Sequence, residues 1–141
     1  MTNRTSATFR LLAPVLLGAI ALTGCKKDDQ ANATLDLLDE TTAELVKKVK
    51  TAESPKKGVA DAQAYLDEHK GDLKTKMVAL GELRGFELSD DTTARMEKSL
   101  TDNVVKVQSL QLDLMSATLS DKSLDADLTK LTDSYTNAIM P

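Results

Sequence analysis

The chain has 141 residues, with 18 basic against 22 acidic side chains for a net charge of −4, one cysteine and 3% aromatic residues. That length suits one small domain. The acidic balance argues against nucleic acid or an anionic lipid surface as a partner, and a single cysteine excludes a disulfide within the chain. In chain order, Met1 to Arg10 carries Arg4 and Arg10 and no acid, and Leu11 to Leu22 is an uncharged run of twelve residues. A basic start followed by an apolar run of that length has the form of an export signal. It is too short for the roughly 20 residues that cross ~30 Å of hydrocarbon.

The run closes on Leu22-Thr23-Gly24-Cys25, "LTGC". This tetrapeptide resembles the lipobox of bacterial lipoprotein signal peptides: an aliphatic residue, a small or polar one, Gly or Ala, then an obligatory Cys. The resemblance covers the first 25 residues and does not extend to the domain beyond. It implies lipidation at Cys25, with a diacylglycerol on the sulfur, removal of residues 1–24 as a signal peptide, and acylation of the new amino group by a fatty acid such as palmitate. Each buried CH₂ contributes ~0.8 kcal/mol, so one acyl chain holds reversibly and two or three hold stably. The membrane is thus an expected partner through Cys25. By resemblance to enteric sorting signals, in which Asp after the Cys favours the inner membrane, Lys26 implies the outer membrane, facing the periplasm, over the inner one.

Residues 25–30 are expected to form the lipidated cysteine and a short solvated tether, and residues 31–141 a helical domain. Loss of the leader removes Arg4 and Arg10 and leaves 16 basic against 22 acidic residues. From about Ala31 to Ala52, Leu35, Leu38, Thr42, Leu45, Val49 and Ala52 follow heptad spacing. Ser54-Pro55 then supplies an N-cap and a proline at the first helical position. A second helix is expected to run to about Arg84, with Val59, Ala62, Leu66, His69, Leu73, Met77 and Leu80 on one face and with Gly71 and Gly81 weakening it locally. Ser89-Asp90-Asp91 predicts the start of a third helix. Its inner face would carry Met96, Leu100, Val104, Val107, Leu110 and Leu114, widened by Val105, Leu112 and Met115, which makes it the expected most buried helix. Ser120-Asp121 caps a last helix with Leu124, Leu128, Leu131, Tyr135 and Ile139 inside. The fold class is all-α. Short connections favour an antiparallel up-down-up-down four-helix bundle; the alternative is an elongated three-helix bundle in which Ser120 is absorbed into a bent, longer third helix.

Few residues suggest chemistry. His69 is the one histidine, and Met77, Met96 and Met115 are available as axial partners of the kind seen in four-helix periplasmic cytochromes. Against that, there is no second His, no C-x-x-C-H, and methionines at helical spacing are more often core filler. The paired acids are Asp67 with Glu68, Asp90 with Asp91, and Asp125 with Asp127; as sequence neighbours they read as solvated or capping groups rather than carboxylates converging on a cleft. G-x-S-x-G, G-x-G-x-x-G and the P-loop are absent. The expectation is therefore a non-enzyme without cofactor or metal: a membrane-anchored envelope lipoprotein acting as a structural or protein-interaction module, partnered by an envelope protein or by another copy of itself. The alternative is a periplasmic four-helix bundle carrying a small ligand, haem or metal.

Overall fold

A computed structural model of the chain describes residues 27–83 and 85–140. Among them lie five α-helices and no strand: α1 Asp28–Thr51, α2 Pro55–Gly81, α3 Asp90–Asp113, α4 Met115–Ser120 and α5 Lys122–Ile139, with a 3₁₀ turn at Gly85–Glu87 before α3. The protein is an all-α helical bundle. No described helix is long and apolar enough to cross a membrane.

Helix α1 begins at Asp28, earlier than the expected solvated stretch allows, and Ala31 is already fully buried. Acidic Asp28 and Asp29 occupy its first turn, where they complement the helix dipole. The heptad seam lands as the spacing predicts over Leu35, Leu38, Thr42, Leu45 and Val49, which are buried, whereas Ala52 falls past the end of α1 in extended backbone and is half-buried. Ser54 caps α2 by accepting from Lys57 N–H at 3.3 Å, with Pro55 in the first turn. The chain reverses tightly enough that a Cβ at Gly58 would sit 2.7 Å from the Val49 carbonyl oxygen.

Side-chain pairs fix the helix directions. Asp28 meets Ser89, Asp39 meets Ser99, and Lys50 meets Asp113, so α1 and α3 run parallel. Lys56 meets Ser123 at one end of α2, while Leu80 and Ile139 line one groove at the other, so α2 and α5 also run parallel. Direction alternates along the chain, but the order around the bundle is α3, α1, α2, α5, and α3 and α5 touch only sparsely. Residues 82–89 therefore do not join adjacent helices. They carry the chain past the N-terminal end of α1.

This arrangement overturns the expectation that α3 is the most buried helix. Helix α1, flanked by α2 and α3, buries eight residues; α3 buries five, of which Thr92, Ser99 and Asn103 are polar. Met96, Leu100 and Val104 are only half-buried against the loose α5 side, and Val105, Leu112 and Met115 are exposed rather than a widening of the inner stripe. The third helix also breaks, at Leu114 (φ −101°, ψ 8°), into α4. An extended Asp121 (φ −131°, ψ 100°) then separates α4 from α5 and caps α5 by accepting from the N–H groups of Ser123 at 2.9 Å and Leu124 at 3.2 Å. Ser120 thus closes a continuation of the third helix beyond the bend at Leu114, and Asp121 separates it from a further helix, α5. On α5, Leu124, Leu128, Leu131, Tyr135 and Ile139 are all buried as predicted.

Candidate functional site

Cys25, the residue singled out by the lipobox resemblance, lies outside the described residues. Two positions later the chain is already fastened to the bundle. Lys27 N–H donates to the Glu87 carbonyl at 2.8 Å, and its ammonium lies 3.0 Å from the Glu87 carboxylate. One residue on, Asp28 Oδ1 accepts from Ser89 N–H at 2.8 Å and from the Ser89 hydroxyl at 3.0 Å. The same Ser89 oxygen accepts from Thr92 N–H at 3.2 Å and so caps α3. The start of α1 and the start of α3 thus share one polar knot, at the end of the bundle where α2 and α5 finish.

Beside that knot the bundle is apolar and open. Met77, Leu80, Leu83, Met96, Leu100 and Ile139 line a groove between α2, α3 and α5. Phe86 is 79% exposed and Met140 58% exposed at this end. Sequence periodicity puts Met77, Leu80, Met96, Leu100 and Ile139 on inner faces but does not single out Leu83, and the groove itself follows from the sparse contact between α3 and α5, which periodicity does not report.

The structure does not bring the candidate haem ligands together. His69 is half-buried on α2, its Nδ1 2.8 Å from the Tyr65 carbonyl oxygen and its ring 4.2 Å from the Tyr65 ring. Lys48 stands 5.3 Å above that tyrosine. Met77 and Met96 share the groove, whose lining does not include His69. Met115 is exposed in α4, near the opposite end. Among the described residues no group of three His, Cys, Asp or Glu side chains could hold a metal ion.

The paired acids do not converge either. Asp67 is hydrogen-bonded to Lys70 at 2.6 Å and to Gln63 at 3.1 Å, and the Lys70 bond holds its carboxyl below the ordinary value. Asp90 and Asp91 occupy the exposed first turn of α3, and Asp125 and Asp127 are exposed on α5.

A polar constellation that the sequence reading missed lies between α1 and α3. Asp39 Oδ1 accepts from Ser99 Oγ at 2.6 Å and from Asn103 Nδ2 at 2.5 Å, and Arg95 lies 3.6 Å from Oδ2. Arg95 also donates to Asn32 at 2.7 Å and Asp36 at 2.6 Å. Burial pushes the Asp39 carboxyl up, but the Ser99 and Asn103 bonds together with the charges of Arg95 and Lys106 outweigh it and leave the group below its ordinary value. A carboxylate held ionised with its oxygens engaged is poorly suited to general acid work. Its effect is to fix the register of two parallel helices. The signal was present in the sequence: Arg95, Ser99 and Asn103 recur every four residues, which puts them on one helix face.

Comparison of the chain with protein-family models, with curated proteins and with solved structures gives no match.

Proposed function

We propose that this chain is a membrane-anchored lipoprotein of the bacterial cell envelope, held by lipid on Cys25, whose helical bundle acts as a structural or protein-interaction module. The observation that carries the reading is the "LTGC" box at the end of an export-type leader. Two features of the folded domain support it. The bundle is bonded to the chain at Lys27, so a lipid on Cys25 would hold the domain against a membrane surface without a long stalk. Far from that end, Val105, Leu112, Met115 and Leu119 leave an apolar exposed strip on α3 and α4, a feature that favours a contact surface over an inert spacer. By the sorting resemblance, Lys26 favours the outer membrane, facing the periplasm. No enzymatic step enters this reading.

Replacing Cys25 with Ser in the expressing cell tests it. Lipid labelling at that position should disappear, and the product should be an uncleaved precursor or a soluble protein. Unchanged processing and membrane retention would defeat the reading. Density-gradient fractionation of the wild-type protein distinguishes outer from inner membrane. A photo-crosslinker at Leu112 should capture an envelope protein or a second copy.

A further inference from the structure

We propose that the anchor-side end of the bundle, led by Phe86 and Met140, rests in the headgroup region of a zwitterionic phospholipid surface and stands the bundle upright on it. The inference rests on the lipid-anchor reading and adds to it a specific contact surface on the folded domain.

The length of chain between anchor and fold carries the argument. Two residues span at most about 7 Å, so an acylated Cys25 lies within that reach of Lys27. Lys27 in turn is hydrogen-bonded to Glu87, the residue after Phe86. A thioether-linked diacylglycerol places its sulfur at the level of the headgroups, a layer of roughly 5–8 Å on each side of the hydrocarbon. The 3₁₀ turn Gly85–Glu87 cannot then be far from that layer. Its one large apolar side chain, Phe86, packs into nothing: it is 79% exposed, while Leu88, two residues on, is 5% exposed. Met140, 58% exposed, follows Ile139, which lines the apolar groove at this same end. Aromatic side chains favour the membrane–water interface, and a tether this short makes even a weak contact persistent.

Charge selects the kind of lipid. Residues 26–29 and 82–91 carry three basic side chains, Lys26, Lys27 and Arg84, against six acidic ones; Glu82, Asp90 and Asp91 are exposed around the turn, and Lys27 is paired with Glu87. That acidic rim would be repelled by an anionic leaflet. It is compatible with phosphatidylcholine or phosphatidylethanolamine headgroups.

The chain contains no tryptophan, so single Trp variants report position cleanly. Phe86→Trp and, as a distal control, Glu53→Trp in the turn between α1 and α2 would be made in the full lipid-bearing protein and reconstituted into phosphatidylcholine vesicles containing doxyl-labelled lipid. Both positions are exposed, so both sites tolerate substitution without disturbing the core. The expected result is blue-shifted emission and quenching for the Trp at 86, with water-like, unquenched emission for the Trp at 53. Adding phosphatidylglycerol should weaken the quenching at 86. Vesicle-bound protein in which both tryptophans emit as in water would overturn the bilayer contact while leaving the anchor in place, and would point to a protein partner for Phe86. Failure of the anchor reading shows separately, as wild-type protein that carries no lipid and does not sediment with vesicles, and that result removes both.

Discussion

The hydroxyl of Tyr135 lies 2.6 Å from Thr42 Oγ1 in the middle of the bundle, joining α5 to α1 across the core. Thr42 has one proton, and it is directed at the Leu38 carbonyl oxygen 2.8 Å away. Tyr135 is therefore the donor, and Thr42 relays the bond into the backbone of α1. Tyr135 is 1% exposed and Thr42 is fully buried, so the phenol relies on Thr42, whereas Thr42 also has the Leu38 carbonyl. Tyr135→Phe should cost about 1 kcal/mol in urea unfolding, because Thr42 keeps its bond to Leu38. Thr42→Val should cost about 2 kcal/mol, since it strands a buried phenol. Finding the tyrosine change to be the costlier of the two would contradict this direction of donation.

The same tyrosine makes stability fall at alkaline pH. Burial pushes the Tyr135 hydroxyl up to about 12 from its ordinary 10.0. The fold therefore retains a proton that the unfolded chain releases, so the contribution is whole below about pH 10 and is lost as pH rises through about 12. Its size is on the order of 3 kcal/mol. Tyr65 is also shifted upward, first by burial and then by Glu40 and Glu44, so the comparison of interest is wild type with Tyr135→Phe. The gap between their unfolding midpoints should change sharply between pH 9 and pH 12, and parallel profiles would remove Tyr135 as the cause.

Asp39 contributes with the opposite sign. Its carboxyl is held below the ordinary 3.8 when folded, so its contribution is present above that value and is lost as pH falls through the lowered one. Asp39→Ala would remove the charged acceptor shared by Ser99 and the fully buried Asn103, which keeps its 2.8 Å bond to the Ser99 carbonyl, and should cost about 2 kcal/mol at pH 7. Asp36, which shares Arg95 but has a 72% exposed side chain, should cost no more than about 0.5 kcal/mol as Asp36→Ala. Equal costs for the two would show that the α1–α3 register does not depend on Asp39.

Leu110 and Leu112 show where sequence periodicity reads this fold and where it stops. Apolar spacing identifies the buried seams of α1, α2 and α5, and the Ser54, Ser89 and Asp121 caps mark helix starts, because both signals are local to a helix. Which helices become neighbours depends on how residues 82–89 are routed, and no periodicity encodes that. The stripe on α3 was therefore read too wide: Leu110 is fully buried and Leu112 is 75% exposed. Near the start of the chain, the motif ending at Cys25 is legible in the sequence, but the pinning of Lys27 and Asp28 involves residues about 60 positions away and is visible only in three dimensions. Leu110→Asp should cost several kcal/mol by burying a charge, and Leu112→Asp should stay within about 0.5 kcal/mol. Thermal unfolding of the two variants side by side measures the contrast, and a large loss at position 112 would restore the wider stripe.

Gly58 and Gly71 should respond to alanine in opposite directions, although both are interior to α2. At Gly71 an added Cβ would meet nothing within 4 Å, so Gly71→Ala gains helix propensity and should stabilise by about 0.5–1 kcal/mol. At Gly58 the added Cβ would lie 2.7 Å from the Val49 carbonyl oxygen and 3.0 Å from that of Lys48. Both are backbone atoms of α1 and cannot rotate aside, so the two helices would have to separate where the hairpin closes. Propensity still favours alanine there by up to about 1 kcal/mol, but overpacking costs typically ~1–3 kcal/mol, so a net loss is expected. Separation would also loosen Val49 and Val59, which are 4% and 1% exposed and flank the contact. Faster amide exchange around the hairpin in Gly58→Ala, beside slower exchange near position 71 in Gly71→Ala, is the predicted pattern. A stabilised Gly58→Ala would mean that α1 and α2 approach less closely than the 2.7 Å contact requires.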